Sequence, residues 1–165
     1  MKILHIVGGK NHGKTTLIVE LVRELSGRGL RVGTIKHTSH AHDLDTPNSD
    51  SYRHRQAGAA PAAIVTSDLV GVFFPRLVDF YQQLAPLTEG CDVVIVEGHL
   101  EHAGPKVEVW RESFGTPCLA GHRKDILALI TDDPAEVSVP VWPRSDVRFL
   151  ADRVIELLWQ DGPAS

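Results

Sequence analysis

The run Gly8-Gly9-Lys10-Asn11-His12-Gly13-Lys14-Thr15 sets two glycines around four variable positions and closes on Lys-Thr. No other stretch limits the chain so strongly, because each fixed residue answers a need of phosphate binding. Gly8 and Gly13 open backbone angles closed to other residues, so the loop can turn its N–H groups inward around an anion. Lys14 brings a positive charge to the β- and γ-phosphates, and the Thr15 hydroxyl is a hard oxygen ligand suited to Mg²⁺. The apolar run over residues 3–7 reads as a strand covered on both faces, interrupted by His5 as a hydrogen-bonded core histidine. Beyond the loop, Leu17, Ile18, Leu21, Val22 and Leu25 recur at helical spacing. A helix that starts there points its positive end at the same anion. The expected nucleotide contacts are Gly8, Gly9, Asn11, His12, Gly13, Lys14, Thr15 and Thr16, with Lys14 also acting on the transferred phosphate.

Strands and helices alternate along the rest of the chain. Strands are expected over residues 32–35, 93–96, 107–110, 126–130 and 139–142, and helices over 50–57, 76–84 and 146–158. Residues 62–66 and 69–74 read as a hairpin, with Phe73 and Phe74 at a partly covered edge, an oligomer contact or packed in the core. This order predicts an α/β P-loop NTPase fold: a mostly parallel sheet flanked by helices, with a small β-rich insertion around residues 60–75. The 165 residues suit one nucleotide-binding domain over residues 1–160, with 161–165 as a frayed tail. A net charge of −4 argues against a general nucleic-acid binder. Cys91 and Cys118 form no metal-binding spacing and read as reduced core residues. No signal peptide and no membrane-length apolar run is evident, which points to the cytoplasm.

A phosphate loop needs an acid near its metal, and Asp92-Val-Val-Ile-Val-Glu97-Gly98 offers two. At about 3.3 Å per residue the two carboxylates lie roughly 16 Å apart along a strand. Ligand sites in parallel sheets form at the carboxyl ends of strands. Glu97 is therefore expected at the metal with Thr15, and in a catalytic role with Lys14. Asp92 is expected at a turn or edge, and Gly98 where the chain passes close to the γ-phosphate. The guanine-reading Asn-Lys-x-Asp pattern is absent, so the motif alone leaves GTP and ATP open. Thr131-Asp132-Asp133 could line a base pocket or form a turn. Lys36, His37, His40, His42, Asp43 and Asp45 form either a metal cluster or a polar loop that contacts anions. Arg53 and Arg55 suit a bidentate anion.

Taken together, these segments resemble the MobB family, adaptor proteins of molybdopterin-guanine dinucleotide biosynthesis. The likeness runs through the P-loop with Thr15-Thr16-Leu17, Thr34-Ile-Lys-His37 and Asp45. It continues in Asp50-Ser-Tyr-Arg-His-Arg-Gln-Ala-Gly-Ala, Val96-Glu97-Gly98, and Pro105-Lys106-Val-Glu108-Val with Arg111. It implies GTP with Mg²⁺, a weak GTPase activity, a homodimer, and work beside the molybdopterin guanylyltransferase, with a molybdopterin-type ligand within reach. It further implies substrate or partner contacts at Lys36, His37, Asp45, Arg53, Arg55 and Lys106. The chain departs from the family's pattern at Asn48-Ser49 and His99-Leu100, where a lysine commonly stands. A P-loop small-molecule kinase and a nucleotide-gated metallochaperone or adaptor are the alternatives.

Overall fold

The computed structural model describes residues 2–39 and 44–159. In chain order the elements are β1 (Lys2–Val7), α1 (Lys14–Gly27), β2 (Val32–Lys36), α2 (Asp50–Gln56), β3 (Ala62–Val65), β4 (Val70–Phe73), α3 (Phe80–Thr88), β5 (Val93–Glu97), β6 (Lys106–Val109), β7 (Ile126–Ile130), β8 (Val141–Trp142) and α4 (Val147–Leu158). They fall into two compact units, residues 39–87 and the remainder.

The larger unit holds a six-stranded sheet in the order β2-β5-β1-β6-β7-β8, parallel throughout. Val93 to Val96 are fully buried, as a continuous apolar strand in the middle of such a sheet must be. The pleat then sorts β1 by parity. Leu4 and Ile6 face α1 and α4, whose Leu17, Leu21, Leu25, Leu150 and Val154 complete one core. Val7 faces the other way, into a smaller cluster with Ala120, Ile126 and Leu129.

That second cluster lies under the two short 3-10 turns and loops between β5 and β7, and loops carry spare backbone groups. Buried polar side chains therefore find partners there. His5 is fully buried, its Nδ1 lies 3.3 Å from the Pro105 carbonyl, and its ring stacks on His102 with centroids 4.9 Å apart. Burial pushes the His5 imidazole down to about 4; the Pro105 carbonyl opposes this, and His102, Lys106 and His99 reinforce it. Glu108, also buried, accepts N–H bonds from Leu119 at 2.8 Å and Ala120 at 2.7 Å. Burial raises its pKa above the usual carboxylate value, and these two donors work against that rise.

In the smaller unit β3 and β4 pair antiparallel, as expected, with Val65 opposite Val70. The expected helix over residues 76–84 instead begins at Phe80. Asp79 caps it, accepting from the Gln82 N–H at 3.1 Å, while Gln83 donates to the Pro75 carbonyl at 2.9 Å and accepts from the Leu77 N–H at 3.2 Å. Those side-chain bonds hold residues 75–77 outside the helix, against their apolar periodicity. Both cysteines are free thiols and half-buried rather than core residues. No helix among the described residues is long and apolar enough to cross a membrane.

Candidate nucleotide site

The site follows from the strand order. β1 lies between β5 and β6, so the loop that leaves β1 at Gly8 is flanked by the carboxyl ends of both. Ile6 pairs with Glu97, and Val7 with Glu108. Gly8 sits at φ 137°, and a Cβ there would lie 2.3 Å from the Val109 carbonyl oxygen. Only glycine lets the loop pass β6 this closely. Gly13 takes φ 95° at the entry to α1, and Asn11 is also left-handed at φ 68°.

Inside the loop, Lys14 Nζ donates to the Gly8 carbonyl at 3.0 Å and the Gly9 carbonyl at 2.7 Å. Burial lowers the affinity of this ammonium for its proton; Glu97 offsets that effect and Lys36 adds to it. The Thr15 hydroxyl donates to both oxygens of Glu97, at 2.9 and 3.0 Å. Lys36 Nζ stands 3.5 Å from the same carboxylate. A hydroxyl and a carboxylate side by side form a hard-oxygen pair that fits Mg²⁺. Beside them, between α1 and β2, opens a cleft of about 400 Å³ walled by Ile18, Val19, Val22 and Ile95.

The side chain of His12 is engaged inside the fold. The ring is 1% exposed; Nδ1 accepts the Arg111 N–H at 3.0 Å, and Nε2 lies 3.1 Å from the Thr116 hydroxyl. A backbone N–H can only donate, so Nδ1 carries no proton and Nε2–H donates to Thr116. Burial first, then the charges of Lys14 and Arg111, favour the neutral imidazole by lowering its pKa.

Comparison with known proteins places the chain. Residues 3–132 match the family model described as MobB, molybdopterin guanine dinucleotide synthesis protein B. The chain belongs to the MobB family. It is 33% identical to the molybdopterin-guanine dinucleotide biosynthesis adapter protein of Escherichia coli, over 87% of this chain and 86% of that one. It is 31% identical to the protein of the same name from Haemophilus influenzae, over 91% and 85%. The crystal structure of Bacillus subtilis MobB superposes with a TM-score of 0.73, covering 96% of this chain and 98% of that one at 24% identity, a likeness of fold.

Of the residues that the MobB resemblance carries, the structure brings Lys36 and His37 to the phosphate loop. His37 donates its backbone N–H to the Glu97 carbonyl at 3.0 Å, and its ring stacks on His99 at 4.0 Å. His99, at one of the two departures, takes a left-handed φ of 58° to reach that position. Gly98, at φ 85°, donates its N–H to the Ile6 carbonyl at 2.9 Å. The close approach it permits is to the His37 carbonyl, 3.2 Å from where a Cβ would sit. Asp92 takes the turn position expected of it, accepting the Arg31 N–H at 2.7 Å.

Lys106 does not join them. It starts β6, at the end of the strand away from the loop, and its buried Nζ pairs with Asp125 at 3.1 Å. Arg123 shares that carboxylate at 2.9 Å and, with Lys106, holds it far below the usual range. A buried ammonium paired in this way braces the sheet at the end of β6 away from the phosphate loop. In the smaller unit, Asp45 accepts from Ser49, Ser51 and Arg55 at 3.1, 3.0 and 3.2 Å. Burial works against its charge, and these donors more than offset that, so the Asp45 carboxyl is held below its usual value. Ser49 also caps α2, bonding the Tyr52 N–H at 3.2 Å. Arg55 lies over the Phe73 ring at 5.0 Å as well, so it is engaged within its own unit, whereas Arg53 is 74% exposed.

His40, His42 and Asp43 lie outside the described residues. Among the described residues no group of three or more His, Cys, Asp or Glu side chains is arranged to hold a metal ion. Two features lacked a role in the sequence reading: the His12 strut, and Arg111 at the carboxyl end of β6, which entered only as part of the family resemblance. The rule that ligands gather at strand carboxyl ends would have flagged Arg111, had the neighbour of β1 been known.

Proposed function

We propose that this MobB protein binds GTP with Mg²⁺ at the Gly8–Thr16 loop and hydrolyses it slowly. In this role it serves synthesis of the guanine dinucleotide form of the molybdenum cofactor, as an accessory beside the guanylyltransferase in the cytoplasm. The carrying observation is the pairing of the Thr15 hydroxyl with Glu97 next to Lys14, inside a loop of left-handed glycines. That arrangement can hold a triphosphate and its cation at once. Lys14 and the loop amides would bind the β- and γ-phosphates and offset the charge that develops as water displaces the γ-phosphate. Thr15 and Glu97 would hold the Mg²⁺, which supplies charge neutralisation to the phosphate oxygens when bound. The guanine preference draws on the names of the relatives, which are adapters for a guanine dinucleotide.

Calorimetric titration of GTP and ATP into the purified chain tests this reading. GTP is expected to bind in a Mg²⁺-dependent manner and more tightly than ATP. Lys14→Ala is expected to weaken GTP by at least tenfold, since a charge-assisted phosphate contact is worth roughly 1.5–3 kcal/mol. Equal affinity in the wild type and Lys14→Ala would refute nucleotide binding at this loop.

The same reading includes a homodimer, and the β3–β4 hairpin supports it. An isolated two-stranded sheet is marginal in water, and it leaves a free hydrogen-bonding edge on each strand. Here it also exposes Ile64, Val65, Leu69, Val70, Val72 and Phe74. Sedimentation equilibrium is expected to find a dimer that Val65→Lys with Val70→Lys converts to monomer. A monomeric wild type would remove this part of the proposal.

A further inference from the structure

We propose that Arg111 is a phosphate-contacting residue of the nucleotide site, gripping the β6 flank of the diphosphate opposite Glu97, with His12 as its positioning residue. The inference rests on the nucleotide-binding reading above and adds a residue to it.

The strand order carries the argument. Glu97, Thr15 and Lys36 cluster on the β5 side of the loop, so the cation and the γ-phosphate belong to that side. The β6 side lacks those groups. There the guanidinium of Arg111 lies against Gly13: from the place where a Gly13 Cβ would stand, Nη2 is 3.1 Å, Cζ 3.5 Å and Nε 3.6 Å away. These three distances place the guanidinium against the last loop glycine. A side chain at position 13 would occupy its seat.

Arg111 is exposed, and no carboxylate among the described residues pairs with its guanidinium. Elsewhere in the larger unit Arg28, Arg31, Arg123, Arg144 and Arg153 pair with carboxylates, whereas Arg23 and Arg148 do not among the described residues. An unpaired planar fork beside a phosphate loop suits bidentate contact with a phosphate.

Its backbone is fixed as well. The His12 ring, part of the loop itself, accepts the Arg111 N–H at 3.0 Å, is held by Thr116 at 3.1 Å, and packs on Phe114 with centroids 5.0 Å apart. The loop and the guanidinium that would serve it are thus joined through one buried ring. Because Arg111 stands away from the metal side, its contact should be to phosphates that GTP and GDP share.

The test is calorimetry with GTP and GDP, each with Mg²⁺ and with EDTA, on the full chain. Arg111→Ala is expected to weaken both nucleotides by a similar factor of about ten or more, with or without Mg²⁺. Arg111→Lys should recover only part, and both variants should keep the wild-type melting temperature without nucleotide. Glu97→Gln should differ in kind, changing the Mg²⁺ dependence of GTP. Retained affinity in Arg111→Ala while Lys14→Ala loses it would overturn the proposal and leave nucleotide binding standing. Retained affinity in both variants would refute the nucleotide reading itself. A loss confined to GTP would place Arg111 on the γ-phosphate and overturn the flank assignment. For His12, the His12→Phe loss should shrink in the Arg111→Ala background; simple additivity of the two losses would remove its positioning role.

Discussion

Replacing Gly8 by alanine is expected to lower GTP affinity by at least about a hundredfold, because the new methyl has nowhere to go and the loop must move by something like an ångström. At φ 137° the residue stands in a region that L side chains rarely adopt, and the added Cβ would meet the Val109 carbonyl oxygen at 2.3 Å. That oxygen belongs to the backbone of a fully buried strand residue, so it cannot swing aside as a flexible side chain would. Strain and overpacking together should cost about 2–4 kcal/mol of folding stability. Gly27→Ala is the matched control. It sits inside α1 with nothing within 4 Å of its would-be Cβ. Alanine there should stabilise the helix by up to about 1 kcal/mol and leave binding unchanged. Calorimetry and thermal melts on the two variants decide the matter; a Gly8→Ala protein that binds GTP like the parent would show that the described loop is not the binding conformation.

The second large effect is on stability in mild acid. Burial lowers the His5 pKa to about 4 in the fold, against an ordinary 6.5. Between those values the unfolded chain holds a proton that the folded chain refuses. Stability therefore falls as pH drops from about 6.5 towards 4, by about 3 kcal/mol in total from this residue. His12, also held neutral, acts in the same direction; Glu108, whose buried carboxyl is shifted upward, acts in the opposite one. Urea denaturation of the parent and His5→Leu across pH 4.5–8 separates these contributions. The variant should be less stable at neutral pH, where its ring contacts are missed, and its curve should be flatter below pH 6.5. Parallel curves for the two proteins would show that His5 is not the group responsible.

Legibility in the sequence tracked how local each determinant is. The Gly8–Thr15 run, the helix behind it and the apolar strands are written within a dozen residues, and they fold as read. Glu97 could be chosen over Asp92 because strand length and the carboxyl-end rule are also local. The neighbour of β1 was a different matter. β6 is brought there by chain connections far from the loop, and with it come Val109, Arg111 and the His12 strut. Lys106 came from the family resemblance alone, and its burial was not legible because lysines are rarely buried. Its counter-charge Asp125 immediately precedes β7 and meets it through the pairing of Lys106 with Ile126. The start of α3 was missed because the bonds of Asp79 and Gln83 override apolar spacing.

The bonds inside the phosphate loop set what an incoming ligand would have to displace. Lys14 rests on the Gly8 and Gly9 carbonyls, and Glu97 rests on Thr15 and beside Lys36, so both poles are internally quenched. A stray inorganic phosphate could release only the ammonium, and a stray divalent ion only the carboxylate. On the proposed reading, a metal–nucleotide complex would trade every one of these partners in a single encounter. The loop would thereby favour the assembled species over either of its components, before any contact with the base.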